Sequence, residues 1–97
     1  MKNYMIVKQP VADLARFRKA FDELQPHRKE YGLIDIGQFL SADEPNTVIV
    51  MMEYTSLERA KEYWHSKVLA EGREKAGALG PNLTPPERVW LTEGYVE

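Results

Sequence analysis

The stretch TVIVMMEY, Thr47 to Tyr54, is apolar at nearly every position. Side chains alternate across a strand, so Val48, Val50, Met52 and Tyr54 point one way while Ile49 and Met51 point the other. A strand apolar on both sides belongs to a sheet that must be covered twice. The remainder of the chain offers two amphipathic helical segments, enough to cover one face of a small sheet. The other face is therefore expected to meet a second copy of the chain, which makes a homodimer the first expectation about partners.

Working outward, Asn3 to Lys8 is rich in Tyr, Met, Ile and Val and predicts a first strand ended by Gln9-Pro10. From Val11 to Tyr31 the period changes: Val11, Leu14, Phe17, Phe21 and Leu24 recur at three and four residues, giving a helix with one core stripe. Asp13 is expected in its first turn and Gly32 as a left-handed cap after its last. Pro26 removes a helical hydrogen bond and should bend the final turn and a half, re-aiming His27, Arg28 and Tyr31. Leu33 to Leu40 predicts a second strand, apolar on both faces except at Asp35 and Gln38. The connection SADEPN, with Pro45-Asn46 suited to the centre of a tight turn, joins it to TVIVMMEY as a hairpin.

Thr55-Ser56-Leu57-Glu58 matches a capping box, so a second helix is expected from there, with Leu57, Ala60, Tyr63 and Trp64 on one face. Ser66 can cap a fresh helical piece from Lys67 to Ala76, which places a break near His65. Gly77, Gly80, Pro81, Pro85 and Pro86 mark a loop, and Arg88 to Thr92 predicts the last strand. The order is βαββαβ, an α+β arrangement, and the right-handed crossover rule turns it into a ferredoxin-like, four-stranded antiparallel sheet with both helices on one face. Residues 1–97 read as a single domain without repeat or linker.

Composition narrows the function. At 97 residues the chain is short enough for oligomerisation to be a common source of extra core. Its 43% apolar and 29% charged residues are ordinary for a soluble domain. The net charge of -2, with both signs interspersed, lacks the basic stripe that nucleic acid requires. With no cysteine there is no disulfide framework, thiolate metal site or cysteine nucleophile. No run approaches the roughly 20 apolar residues of a membrane helix. Met1 leads into NYMIVK without the features of a secretory signal, so the cytoplasm is the expected location.

VADLARFRKAFDE, HRKEYGL, SADEPNTVIVMMEY, LERAKEY and EKAGALGP together resemble the dimeric α/β barrel superfamily, and within it the antibiotic biosynthesis monooxygenases. The carrying features are Arg28-Lys29 with Gly32, the Asp43-Glu44-Pro45-Asn46 hairpin and Glu53 at the end of the third strand. The resemblance implies two four-stranded sheets packed face to face, with a pocket in each subunit between sheet and helices. In oxygenase members such pockets oxidise polycyclic aromatic compounds with oxygen and neither metal nor flavin; relatives include cyclases, heme-degrading proteins and proteins with no known reaction. The chain departs from the pattern at Leu24, where many relatives carry histidine, and near Trp64 and His65, where they carry small residues.

Arg28 falls on the apolar stripe of the first helix, where it either binds an anionic oxygen or serves as an ordinary C-terminal cation or in an intersubunit ion pair. His27, at the stripe's edge, and His65, at the break in the second helix, are candidates for a general base or an axial heme ligand, or else surface residues. Trp64, Tyr63 and Tyr54 form an aromatic group suited to stacking on a flat ligand, or to filling a core. Asn3 is a loose match to an asparagine that heme-degrading relatives use, and Gly72 allows either close packing or an open pocket. No metal-ligand spacing and no phosphate loop are present. These residues support a cofactor-independent oxygenase or cyclase acting on an aromatic or polyketide-like compound; the alternatives are a homodimer that binds a small hydrophobic molecule without reaction, and a heme-binding protein.

Overall fold

A computed structural model describes residues 1–77 and 85–96 of the chain. Four strands and four short helices follow the expected order, each predicted helix being split in two. They are β1 (Lys2–Pro10), α1 (Leu14–Glu23), α2 (Gln25–Glu30), β2 (Leu33–Leu40), β3 (Thr47–Tyr54), α3 (Leu57–Trp64), α4 (Lys67–Lys75) and β4 (Glu87–Gly94). The sheet order is β2-β3-β1-β4, and all neighbours are antiparallel. Gly80 and Pro81 of the expected loop lie outside the described residues. Among those described, no helix is long and apolar enough to cross a membrane.

Strand register sorts the two faces. Met5 stands opposite Met52 and Trp90, and Val7 opposite Val50 and Arg88; this is the face the helices cover. Ile6 stands opposite Met51 and Val89, and Tyr4 opposite Leu91, on the helix-free face. TVIVMMEY behaves as its pattern requires: Val48, Val50, Met52 and Tyr54 are buried, whereas Ile49 and Met51 are half-buried on the open side. Each buried Val or Met on that strand contributes about 1.5–3 kcal/mol by leaving water.

β2 is less regular. Its register with β3 shifts between Asp35 and Gly37, so Ile36 is an extra residue. Asp35 and Gln38 have opposite parity in sequence, yet the bulge places both on the covered face, opposite Met52 and Val50. There they meet arginines of the first helical segment: Arg18 Nε donates to Gln38 Oε1 at 3.1 Å, and Asp35 accepts from Arg28.

The helices start and stop for local reasons. Asp13 is the N-cap of α1 rather than a first-turn residue, its carboxylate accepting from the Arg16 amide at 3.1 Å. The bend at Pro26 is a break at Leu24: α2 starts at Gln25, and Pro26 lies in its first turn, where a missing amide hydrogen costs nothing. Gly32 follows at φ +75°, as the cap requires, and Asn46 takes φ +53° in the hairpin. The expected Thr55 capping box does not form. Ser56 caps α3 instead, accepting from the Arg59 amide, because Thr55 Oγ1 donates to the Gly32 carbonyl at 3.2 Å and ties the end of β3 to the start of β2. The break at His65 is where the pattern placed it, and Ser66 caps α4.

Candidate functional site

Between the covered face and the helices lies a cavity of about 60 Å³. Its floor is Met5 and Val7 of β1 with Val50 and Met52 of β3. One wall is Phe17 and Phe21, one helical turn apart on α1 and stacked at 5.8 Å. Trp64 of α3 and Leu69 of α4 close the far side. Gln9, Arg28, Tyr63 and Arg73 bring polar atoms to this lining, and no carboxylate or imidazole does so among the described residues.

Arg28 is only 2% exposed. Its Nε and Nη2 donate to the two Asp35 carboxylate oxygens at 2.8 and 3.0 Å, and Nη1 donates to the Phe21 carbonyl at 2.8 Å. Its guanidinium carbon sits 3.7 Å from the centre of the Phe21 ring. The fork is thus filled by acceptors of its own chain, an ion pair within the subunit rather than the intersubunit pair that the sequence suggests.

Tyr63 is buried and rests on Tyr31, ring centres 5.4 Å apart. Burial raises its pKa above the ordinary phenol value, against the opposing pull of the Arg28 and Arg73 guanidiniums, so the hydroxyl stays protonated and remains a donor at neutral pH. Arg73 stands 4.1 Å from the centre of the Trp64 ring, and burial draws its pKa below the usual guanidinium value.

The other residues singled out in the sequence are dispersed. His65 is exposed at the C-cap of α3, and His27 is half-buried on α2; neither lines the cavity. Tyr54 is buried and packs edge-on against Trp90 at 5.8 Å, also outside the lining. Of the expected aromatic group, Trp64 and Tyr63 come together at the cavity. Asn3 accepts from Thr92 Oγ1 and the Glu93 amide, holding the irregular end of the β1–β4 ladder where Glu93 has φ +55°. Arg73 and Arg88 escaped sequence reading. For Arg88 a signal existed, since it alternates with Trp90 onto the covered face of β4; for Arg73 there was none, because its meeting with Trp64 depends on how α4 folds back after Ser66.

No family model matches this chain, and no curated protein matches it. Solved structures do. A candidate antibiotic biosynthesis monooxygenase from Caulobacter crescentus superposes with a TM-score of 0.72 at 19% identity, over 97% of this chain and 91% of that one. Another, from Bordetella bronchiseptica, gives 0.74 at 14% identity over 97% and 98%. The ActVA-Orf6 monooxygenase of Streptomyces coelicolor, solved with Nanaomycin D, gives 0.62 at 19% identity over 99% and 91%. This chain has the antibiotic biosynthesis monooxygenase fold. The present cavity occupies the space between sheet and helices in that fold.

One position bears on the room inside this cavity. A Cβ on Gly72 of α4 would lie 2.4 Å from Leu24 Cδ1, and Leu24 lines the cavity. Gly72→Ala should therefore crowd Leu24 and, if the cavity takes a flat ligand, abolish its saturable binding. Its melting temperature should move little, since about 1 kcal/mol of helix propensity offsets the crowding. A ligand titration beside a thermal melt checks both; undiminished binding would show that Leu24 yields elsewhere.

Proposed function

We propose that the protein, acting as a homodimer, takes a flat aromatic or polyketide-like compound into the cavity beside Trp64 and oxidises it with dioxygen without a cofactor. The observation that carries this reading is the lining itself: apolar on its floor and the Phe17–Phe21 wall, with a protonated phenol and guanidinium groups at one side and no base among the described residues. Such a site cannot take a proton from a weakly acidic substrate. It suits one taken up already as its anion, such as the ionised fraction of a naphthol or anthrone, which can react with oxygen while Tyr63 donates a hydrogen bond to the charge that develops. The shared fold of the Streptomyces coelicolor monooxygenase, solved with the ligand Nanaomycin D, supports a small-molecule substrate.

A cavity of about 60 Å³ is smaller than an engineered cavity of about 150 Å³ that holds benzene. A flat ligand must therefore displace half-buried side chains such as Phe21 or Trp64. The homodimer rests on the open sheet face, where Ile34, Ile36, Phe39 and Val89 are 50%, 47%, 56% and 52% exposed. An apolar face of this kind marks an interaction surface, and a second sheet of the same pattern matches it.

Oxygen uptake with hydroxylated naphthalenes or anthrones, in metal-free and flavin-free buffer, tests the reaction. Saturable uptake that falls several-fold in Tyr63→Phe is expected. A second reading, binding without turnover, is favoured by the engagement of each Arg28 guanidinium nitrogen with Asp35 or the Phe21 carbonyl; saturable quenching of Trp64 emission with no oxygen consumed would establish it.

A further inference from the structure

We propose that Arg73 and Arg88, set against Trp64 beside the cavity, form an anion site that holds the carboxylate of a ligand whose flat apolar body occupies the cavity. This rests on the reading of the cavity as a flat-ligand site.

The two guanidinium carbons lie 4.1 and 5.3 Å from the centre of the same Trp64 ring, and Arg88 also lies 5.0 Å from the centre of Trp90. Among the described residues neither arginine has a carboxylate partner; the ion pairs are made by Lys2, Lys8, Arg28, Arg59 and Lys67. Three donors gathered here, Arg73 Nη2, Arg88 Nε and Trp90 Nε1, are sealed from water and have no acceptor. Native structures rarely leave buried donors unmet, and three in one place, two of them charged, is a specific exception.

Arg28 provides the internal contrast. It is the most deeply buried cation of the chain's large side chains, and every branch of its fork has an acceptor. Where this protein needs a buried guanidinium for structure, it supplies the carboxylate. At Arg73 and Arg88, which are half-buried, it supplies an aromatic face, which lowers the cost of withdrawing part of the charge from water but accepts no conventional hydrogen bond. The missing partner is an anion with planar oxygens, to which guanidiniums bind with directed hydrogen bonds. Because Arg73 itself lines the apolar cavity, that anion is the head of an amphiphile rather than a free inorganic ion. An aryl or fused-ring carboxylate has both parts. Trp64, which lines the cavity and lies against both guanidiniums, is the side chain that must shift to admit it.

Titration of the full-length protein with 1-naphthoate and with its neutral counterpart 1-naphthalenemethanol, followed through the two indole N–H signals in ¹⁵N–¹H spectra, tests the site. Naphthoate should bind about tenfold or more tightly than the alcohol, with the Trp90 signal shifting for the acid alone, and inorganic phosphate at equal ionic strength should not compete at millimolar concentration. In Arg73→Gln/Arg88→Gln the preference for the acid should fall to within about twofold while alcohol binding persists, and Arg73→Lys/Arg88→Lys should keep part of it. Arg73→Gln alone should leave the melting temperature unchanged or raise it, since an uncompensated charge is removed; a marked drop would show a structural role and count against the site. Equal affinity for acid and alcohol in the wild type overturns the anion site and leaves the flat-ligand cavity standing. Failure of both compounds to bind overturns both readings.

Discussion

Asp35→Ala is expected to destabilise the protein by about 3 kcal/mol, at the lower end of what breaking a buried ion pair costs. The substitution removes both oxygens that accept from Arg28, whose side chain is 2% exposed, while Asp35 itself is 36% exposed. The damage comes from the partner left behind: a guanidinium wedged against Phe21 that keeps the Phe21 carbonyl but loses both carboxylate oxygens. For a chain of this length the melting temperature should fall by more than about 10 °C. Combining Asp35→Ala with Arg28→Met should recover much of that loss, because the stranded charge is replaced by an unbranched apolar side chain. Thermal melts of the two variants decide it; a single variant that melts with the wild type would mean that water or a rearranged side chain satisfies Arg28.

Val50→Lys and Met51→Lys, neighbours on one strand, are expected to fail in different ways. Val50 is 4% exposed and faces the helices beside Val7. A lysine there has no acceptor and no path to water, so the cost should exceed about 4 kcal/mol and no cooperative unfolding transition should remain. Met51 is half-buried on the helix-free face. Under the proposed homodimer, Met51→Lys should give a folded, soluble monomer near 11.2 kDa by light scattering, with helix content intact and a lowered melting temperature. Lys61→Glu, on the exposed side of α3, should change neither property. A Met51→Lys protein with the wild-type mass would exclude this sheet face as the dimer interface.

The cavity depends on these same packing relations. Its floor residues are the buried alternates of β1 and β3, so any slip of one residue would turn Met5, Val7, Val50 and Met52 to the other face and bring Ile6 and Met51 beneath the helices. The Gly72→Ala test is milder because it moves one leucine, and the ligand comparison at Arg73 and Arg88 leaves the sheet untouched.

The sequence by itself determined the architecture, because that information is periodic and local. TVIVMMEY states which residues share a face, Ser66 announces a new helix after His65, and Pro26, Gly32 and Asn46 mark places where the backbone has few choices. It also placed Trp64 and Tyr63 on the helix whose inner side meets the cavity. What only the tertiary structure decided was which charges have partners. Arg28 looked available for an anion until the extra residue at Ile36 put Asp35 on the covered face and into its fork. Thr55 looked like a cap until the β2–β3 junction claimed its hydroxyl. Arg73, Trp64, Arg88 and Trp90 lie on three elements, α3, α4 and β4, and meet only after the chain has folded back twice. Hydrogen-bond satisfaction is a property of such non-local encounters, set by distances of a few ångströms between side chains far apart in sequence, and no local pattern encodes which donor will be left without an acceptor.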